Sequence, residues 1–376
     1  MTGPKSNRLL LAAIALAMVL VPTCVAAAKT ESHSPKTHKP KSHMPRCKTH
    51  YVARRVRVRK REHHRLVWVR EWKCVKAKPT HATNQPTATA PVTGVGPVTN
   101  PSRSTNCAGA LGSGQPDAAS LDECGFPSPD STGVPAGTTL TPYAGPSNIS
   151  TAGTTISDAE ITSPITISAS NVTIKDSDVA IAGAPSGAIR VGGGVTGTLI
   201  AYDSIHGTGS TTAGSLFAAV YSTNYTAGAD EVTVDHVDFY NGQRILHGPG
   251  TLQNSFCLDN VVVAGAHYEC VYEGGGSMTI DHNTLLTGFT QTAAIYLSTD
   301  FAPLNTVNVT NNLLAGGGYA LYGGAGSGLG SETVTGNHFS RLYYAHSGYW
   351  GPAVYMPSSY TWSGNVWDDT GLPVSP

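Results

Sequence analysis

Short segments that alternate apolar and polar residues recur through the second half of the chain. An alternation with a period of two predicts a short β-strand that buries one face. Eight similar segments begin at Val172, Thr198, Val232, Gly250, Met278, Val307, Glu332 and Tyr360. Their starts are 26, 34, 18, 28, 29, 25 and 28 residues apart. A recurring spacing of this size predicts a stack of similar turns instead of a fold around one central core.

Seven of the eight segments have a polar residue at the corner position, with Val237 as the exception, and an apolar residue follows two positions later. The corner position is an asparagine in the last four segments: Asn283, Asn312, Asn337 and Asn365. Asparagine tolerates the left-handed backbone of a tight corner, and identical amides stacked one strand spacing apart can bond to each other. We therefore expect an asparagine ladder along one corner, with the apolar residue two positions later in the core.

A second strand is predicted before most of these segments. Aligning these strands places one apolar column in the core: Ile189, Val220, Ile245, Val271, Ile295, Leu321 and Val354. The next residue then faces outward: Arg190, Tyr221, Leu246, Tyr272, Tyr296, Tyr322 and Tyr355. Five of these seven outward residues are tyrosines. The alignment therefore predicts a row of tyrosines on one outer face.

The patterns together predict an all-β solenoid of stacked parallel strands over residues 107–376. Residues 133–167 supply its first turns or a cap, because an open terminal strand invites edge-to-edge pairing. Residues 79–106 are rich in Thr, Pro, Ala and Val, which is typical of an extended linker. One folded domain thus follows a long N-terminal extension.

The N-terminus of the chain has the pattern of a secretory signal peptide over residues 1–28. Lys5 and Arg8 precede an apolar run over residues 9–21, and small residues end the segment. This run is too short to span a membrane, so we expect a secreted protein without a transmembrane segment. The sequence does not indicate an oligomeric state.

The cysteines that follow the predicted signal peptide are even in number. Seven cysteines are present, and Cys24 lies inside the signal peptide, so 7 − 1 = 6 remain. In an exported protein an even count indicates disulfides. Proximity along the chain favours Cys47 with Cys74, Cys107 with Cys124, and Cys257 with Cys270.

The formal net charge of zero hides two oppositely charged parts. Residues 29–78 contain 17 Lys or Arg against three acids, a balance of +14. The rest, from residue 79, has five bases against 21 acids, a balance of −16. Residues 29–46 have too few apolar side chains to form a core, so we expect disorder there. In the rest of this basic arm, alternation between Cys47 and Cys74 predicts a disulfide-closed hairpin. The arm could bind an anionic cell-envelope polymer, fold onto the acidic domain, or merely keep the protein soluble. For an exported chain, nucleic acid is not the expected partner.

Three stretches resemble one known family: CGFPSPDSTGVPAGTTLTP from Cys124, ITISASNVTIKDSDV from Ile165, and HYECVYEGGGSMTIDHNTL from His267. They resemble secreted right-handed parallel β-helix proteins of the pectin-lyase-like superfamily, common in actinobacteria. The resemblance implies a single-stranded right-handed parallel β-helix over about residues 120–370. The superfamily contains lyases, hydrolases, epimerases and non-catalytic binders. The resemblance therefore implies a polysaccharide ligand but no particular reaction. Related sequences often contain the motif His-x-Asp-x-Ile-Gln at this place. This chain has Glu269 in place of the Asp and Tyr272 in place of the Gln.

The turn from His267 to Gly276 is the candidate centre of function. His267, Glu269, Arg244 and Glu273 are the candidate catalytic residues, since imidazole and carboxyl groups can act as acid and base and a guanidinium can neutralise a uronate. The candidate substrate-binding residues are Arg190, Tyr221, Gln243, Tyr272, Gln291, Tyr296 and Tyr322. Amides, cations and aromatic rings together are typical of sugar-binding surfaces. The tyrosines could equally stabilise neighbouring strands, and His267 could serve only as a structural hydrogen-bonding group.

Register along the stack gives each candidate an expected neighbour. Gln243 should lie beneath Glu269, Ala293 should lie above it, and Arg244 should lie beside Cys270. By this alignment, His247 is a solvated residue. No metal ligand set is evident; calcium is a candidate cofactor because of the 21 acids, although no EF-hand-like loop occurs.

Two functions fit the sequence. The first is an exported protein that binds an extracellular polysaccharide along one face, with cleavage by a lyase or hydrolase reaction left open. The second is a non-catalytic, cell-wall-associated or adhesive protein that is anchored by the basic arm.

Overall fold

The chain folds into two units, residues 1–94 and 95–376. The computed structural model describes residues 117–183, 186–209, 211, 213–225, 231–259, 261, 267, 269–324 and 330–376, and the backbone of residues 51–62 and 65–76. The predicted signal peptide, the linker and Cys47 lie outside the described residues.

One antiparallel hairpin is described in the first unit. Its strands are Tyr51–Glu62 and Arg65–Lys76. Glu62 is paired with Arg65, so two residues separate the strands, and Val58 is paired with Val69 near the middle. The pairing is continuous over the full length of both strands.

The second unit is a parallel β-helix built from three sheets, as the repeated segments predicted. Each turn contributes one strand to each sheet in a fixed order, so every strand pairs with its equivalents one turn before and one turn after. Sheet 1 contains Asn148–Ile149, Ile165–Ile167, Ile189–Val191, Val220–Ser222, Leu246–His247, Glu269–Glu273, Ala293–Leu297, Tyr319–Gly323 and Gly351–Val354. Sheet 2 contains Thr155–Ser157, Thr173–Lys175, Thr198–Ala201, Val232–Asp235, Gly250–Gln253, Gly276–Asp281, Leu304–Thr310, Ser331–Thr335 and Tyr360–Ser363. Sheet 3 contains Thr141–Pro142, Ala159–Ile161, Asp178–Ile181, Ser204–Gly207, Asp238–Tyr240, Phe256–Asp259, Thr284–Thr287, Leu313–Gly316, His338–Phe339 and Val366–Trp367.

The interior of the β-helix is filled by columns of apolar side chains. In sheet 3 the inward column runs through Val179, Ile205, Phe239, Cys257, Leu285, Leu314 and Phe339, all fully buried. Strand alternation sends the intervening residues outward. The period-two pattern of the sequence is therefore the pattern of the core.

The corner between sheets 2 and 3 carries the expected asparagine ladder. The side-chain oxygen of Asn312 accepts hydrogen bonds from the backbone N–H and the side-chain amide of Asn283, both at 2.9 Å. In the same way, the side-chain oxygen of Asn337 accepts from Asn312, and the side-chain oxygen of Asn365 accepts from Asn337. The ladder asparagines do not adopt the left-handed backbone themselves. That conformation falls on the residue before each of them, such as His282 with φ of 55°.

A strap of residues 117–134 crosses the outer face of sheet 3. It contains the helix Ala118–Glu123, whose first turn is capped by the Asp117 carboxylate. Its apolar residues form a second small core with outward residues of sheet 3: Leu121, Cys124, Phe126, Phe256, Leu286, Leu313 and Ala315. Thr284 donates a hydrogen bond of 2.6 Å to the Pro127 carbonyl. The strap therefore packs on the side of the stack, and residues 133–167 supply the first turns.

Two cysteine predictions can be compared with the structure. Cys257 and Cys270 form the expected disulfide, which joins a strand of sheet 3 to the next strand of sheet 1. Cys124 is also disulfide-bonded. The partner expected for it, Cys107, and the Cys47–Cys74 pair lie outside the described residues.

Candidate functional site

A continuous column of aromatic rings runs along the outer face of sheet 1. Successive ring centroids are 4.5 Å apart for Tyr221 and His247, 4.6 Å for His247 and Tyr272, and 5.5 Å for Tyr272 and Tyr296. Tyr322 follows at 5.3 Å. We call Tyr221, His247, Tyr272, Tyr296 and Tyr322 the aromatic column. Each turn of the β-helix contributes one ring, because the strands are in parallel register.

Two neighbouring rings in the middle of the column cover each other's faces. Tyr272 and Tyr296 are stacked at an interplanar angle of 16°, so neither ring offers that face to a ligand. What such a stack exposes are the ring edges and the hydroxyl groups. A sugar ring therefore cannot stack on the covered ring faces in the middle of the column.

The position of His247 in this column corrects the alignment made from the sequence. Leu246, and not Ile245, pairs with Val220 and Val271, and His247 pairs with Tyr221 and Tyr272. Ile245 takes the corner position that alanine or cysteine occupies in neighbouring turns. Histidine therefore replaces tyrosine at this turn, and Leu246 faces the core.

His247 is almost completely buried, and the prediction that it is a solvated residue was wrong. Its Nε2 atom lies 2.9 Å from the Tyr225 hydroxyl, and its Nδ1 atom has no partner among the described residues. Burial, with a smaller effect from the Arg244 cation, lowers the pKa of His247 to about 3. The imidazole is thus neutral, and its Nε2 atom shares a hydrogen bond with the Tyr225 hydroxyl.

A similar register correction applies to the last turn. Ala353, and not Val354, pairs with Leu321, so Val354 faces outward beside Tyr322. Tyr355 lies beyond the strand with φ of 54°. Its ring nevertheless lies 5.8 Å from that of Tyr322 and extends the column in space.

The phenol groups of Tyr272, Tyr296 and Tyr322 are un-ionised around neutral pH. Burial raises the pKa of Tyr272 to about 12, and burial also raises the pKa values of Tyr296 and Tyr322. A protonated phenol both donates and accepts hydrogen bonds. The Tyr272 hydroxyl uses its proton in a 3.2 Å hydrogen bond to the Asp300 carboxylate.

Arg244 and Glu269 form a buried ion pair beside the column. Arg244 Nη2 lies 2.7 Å from Glu269 Oε2, and both side chains are buried. The guanidinium also lies over the rings of Phe217 and Tyr272, at 4.6 and 5.4 Å from their centroids. Register places Arg244 beneath Glu269, where Gln243 was expected, because the alignment of this turn was one residue out. Ala293 lies above Glu269, as expected.

The four candidate catalytic residues do not share one accessible site. The His267 side chain is 63% exposed and its Nδ1 lies 3.9 Å from Glu269 Oε1, but the Glu269 side chain is only 1% exposed. Burial raises the pKa of Glu269, although Arg244 and His267 oppose this effect. Glu273 is fully buried and accepts a hydrogen bond from the Gly275 N–H at 2.8 Å. Burial raises its pKa well above the ordinary value.

The remaining predicted binding residues differ in their exposure. Arg190 is exposed at one end of the column, with its guanidinium carbon 5.9 Å from the Tyr221 ring centroid. Gln291 is exposed on the turn that leads into the Tyr296 strand. Gln243 is buried, so it offers little of its side chain to a ligand.

Loops on the sheet 2 side form a wall along part of the column. The Phe301 ring lies 4.6 Å from that of Tyr225 and 6.3 Å from that of Tyr272. A Cβ atom on Gly274 would overlap the Phe301 ring, so this glycine is needed for the close approach. Phe301 is nevertheless 61% exposed. The wall therefore presents an open aromatic face next to the phenol row.

A second exposed aromatic group lies near the C-terminal end of the column. Trp350 is 66% exposed and packs edge-on against Tyr349 at 4.6 Å. The backbone N–H of Trp350 donates to the Gly318 carbonyl, beside the strand that carries Tyr322. Sequence reasoning missed both residues, because they belong to an irregular loop. An exposed Tyr-Trp pair in a glycine-flanked loop was the available signal.

The described residues contain no group of three or more His, Cys, Asp or Glu side chains arranged to hold a metal ion. Within the same part of the chain, no helix has both the length and the apolar character needed to cross a membrane.

Comparisons with known proteins give no further assignment. No protein-family model, no curated protein and no solved structure matches the chain.

Proposed function

We propose that this protein binds a polysaccharide chain along the aromatic column of sheet 1. The observation that carries the proposal is the regular row of phenol groups, one per turn, with ring separations of 5.3 to 5.5 Å from Tyr272 to Tyr322. A linear sugar polymer repeats its hydroxyl groups at regular intervals, and a regular row of donors and acceptors suits such a ligand.

The exposed rings beside the row supply the apolar part of the proposed site. Phe301 lies against the middle of the column, and Trp350 and Tyr355 lie toward its C-terminal end. Sugar rings present C–H faces that pack on aromatic rings, while their hydroxyls need polar partners. An open strip that combines both features favours a carbohydrate over a purely apolar ligand.

Charge favours a neutral polysaccharide over a polyuronate. Residues 79–376 carry a balance of −16, which repels a polyanion. Arg244 is neutralised by Glu269, and Arg341 pairs with Asp369. Among the described bases, Arg190 alone lies exposed beside the column.

The geometry supports binding better than hydrolysis. A glycosidase needs two carboxyl groups that both reach the scissile bond. Glu269 and Glu273 are buried, and only His267 of the four candidate catalytic residues is exposed. We therefore favour the non-catalytic binder among the functions expected from the sequence. Kinship with the pectin-lyase-like superfamily and export from the cell remain proposals, which rest on the three resembling stretches and on residues 1–28.

Affinity electrophoresis against neutral polysaccharides and polygalacturonate tests this function. Changing both Tyr296 and Tyr322 to phenylalanine removes two hydroxyls and should weaken binding roughly tenfold or more, at about 1 kcal/mol for each lost hydrogen bond. Tyr240→Phe is the matched control, since this tyrosine lies on sheet 3. Equal losses in the double variant and the control, or no binding to any neutral polymer, would refute the proposed surface.

An activity assay separates binding from cleavage. Each polymer is incubated with the protein and followed for ultraviolet absorbance of an unsaturated product and for new reducing ends. We expect neither signal. A signal that His267→Ala abolishes would show that the exposed imidazole acts in catalysis and would overturn the binding-only assignment.

A further inference from the structure

The register of the hairpin in the first unit sorts its residues into two unlike faces. Side chains alternate between the faces of a strand, so alternate pairs of the ladder share a face. The first face holds the pairs Tyr51–Lys76, Ala53–Cys74, Arg55–Trp72, Arg57–Arg70, Arg59–Trp68 and Arg61–Leu66. The second face holds the pairs Val52–Val75, Arg54–Lys73, Val56–Glu71, Val58–Val69, Lys60–Val67 and Glu62–Arg65.

The two faces differ in charge and in apolar character. The first face has five arginines, one lysine, both tryptophans of the hairpin and no acid, a balance of +6. All six valines and both glutamates fall on the second face, whose four bases leave a balance of +2. Sequence composition alone describes the whole arm as basic. The register shows that the cations and aromatic residues are concentrated on one side, which we call the arginine face.

The centre of the arginine face places like charges opposite each other. Arg57 is paired directly with Arg70, and Arg55 and Arg59 precede and follow Arg57 on the same face. Like charges at directly opposed positions destabilise a β-ladder. A bound anion removes this repulsion, and the flanking arginines favour it at the Arg57–Arg70 pair. The opposed Arg54–Lys73 pair on the second face is flanked only by valines and Glu71.

We propose that the arginine face binds a linear extracellular polymer, other than nucleic acid, that carries phosphate groups, and thereby anchors the protein. The planar guanidinium donates paired hydrogen bonds to phosphate. The oxygens of a phosphate point in different directions from its phosphorus, so separate oxygens can accept from the two opposed arginines. This proposal does not depend on the aromatic column.

The two faces also argue against a lipid bilayer as the anchor. Insertion would place the valine face in the acyl chains, but that face carries Glu62 and Glu71. Burying carboxylates in hydrocarbon is costly. The predicted signal peptide of residues 1–28 further favours an extracellular polymer over nucleic acid.

Titration of the intact protein with inorganic polyphosphate tests the proposal by calorimetry. The variant in which Arg57 and Arg70 both become glutamine loses one opposed pair of cations from the arginine face. Its control, with Arg54→Gln and Lys73→Gln, loses an opposed pair of cations from the valine face. Both variants lose two positive charges, so they differ only in which face of the hairpin loses them. We expect the first to bind polyphosphate about tenfold or more weakly and the second to stay within about threefold of the parent.

The outcomes that overturn the proposal are distinct. Equal weakening in both variants would mean that net charge alone attracts the polymer. Binding of polygalacturonate as tight as that of polyphosphate, binding of anionic phospholipid vesicles alone, or tighter binding of single-stranded DNA would each assign a different ligand. Neither variant should alter binding of a neutral polysaccharide, so a failure here leaves the function proposed for sheet 1 standing.

Discussion

Arg244 lies directly beneath Glu269 in the stack, with its Nη2 atom 2.7 Å from the Glu269 Oε2 atom. Two further nitrogens of the Arg244 guanidinium, Nε and Nη1, are buried without hydrogen-bond partners among the described residues. A buried cation in this situation depends on its counter-ion. Glu269, which sequence analysis proposed as a catalytic group, is therefore placed to hold Arg244 against the Phe217 and Tyr272 rings.

Replacing Glu269 by glutamine should destabilise the fold. The change leaves the Arg244 charge buried and unpaired, which costs about 3–5 kcal/mol in comparable buried pairs. Urea denaturation of the variant and the parent measures the difference in the free energy of unfolding. A second variant that combines Glu269→Gln with Arg244→Met should recover much of the loss, because no unpaired charge then remains. If Glu269→Gln left stability unchanged, the ion pair would not have this structural role.

The asparagine ladder should make a large contribution to stability. Asn312→Ala removes the acceptor of the Asn283 backbone N–H and the donor to the Ile280 carbonyl. Each orphaned buried group costs about 1–3 kcal/mol, so we expect a loss on the order of 2–5 kcal/mol in chemical denaturation. Asn305→Ala, at an exposed position of the same turn, is the control and should cost little. Similar losses for both variants would contradict the ladder's role.

Glu332 should make the protein less stable as the pH rises. Both of its carboxyl oxygens are buried without partners among the described residues, and burial raises its pKa from 4.5 to about 8. Between these two pH values the folded state holds a proton that the unfolded state has released. The contribution of Glu332 to stability is therefore greatest below about pH 4.5 and falls until about pH 8, by up to about 1.4 kcal/mol for each unit of pKa difference.

Thermal midpoints measured from pH 4 to pH 9 check this dependence. Glu332→Gln removes the titrating group, so its midpoint should fall less steeply with pH than that of the parent. Part of the slope should persist, because burial also raises the pKa of Asp238 to about 7. A slope that Glu332→Gln leaves unchanged would show that Glu332 is not the responsible carboxyl.

The fold was predictable from sequence because each turn repeats the same chemical requirements. The ladder position is polar in seven of the eight segments, with Val237 as the exception, and the residue two places later is apolar. The columns of Asn312 and Leu314 could therefore be read directly. The register of sheet 1 was less certain at Ile245 and Leu246, because two adjacent apolar residues do not show which of them faces the core. A slip of one residue exchanges the two faces of a strand. His247 was therefore assigned to the wrong environment.

The candidate site was predictable only where it follows the repeat. Tyr272, Tyr296 and Tyr322 share a register position, so their common face was evident from the alignment. Trp350 and Phe301 lie in loops, where position along the chain does not fix direction in space. The burial of Glu273 was also missed, although alternation from the inward Val271 places Glu273 on the same inward face. Its carboxylate accepts a hydrogen bond from the Gly275 N–H there.

The strap on sheet 3 should be held mainly by Phe126. Its ring is buried among apolar residues of the strap and of sheet 3, and it lies edge-on to His338 at 5.1 Å. Phe126→Ala removes this packing and should lower the free energy that holds the strap on the β-helix by about 3–5 kcal/mol. Leu372→Ala, at a side chain that is 62% exposed, should have little effect.

Limited proteolysis distinguishes a cooperative loss from a local one. The strap is also fastened by hydrogen bonds to the Gly125 and Pro127 carbonyls from His282 and Thr284. Water can form equivalent hydrogen bonds with these groups, so the bonds alone stabilise the strap only slightly. Without the Phe126 ring the strap should therefore detach before the β-helix unfolds. We expect early cleavage within residues 117–134 of Phe126→Ala while the turns from residue 141 onward stay intact. Equal resistance of the variant and the parent to cleavage would show that the hydrogen bonds, and not the ring, hold the strap in place.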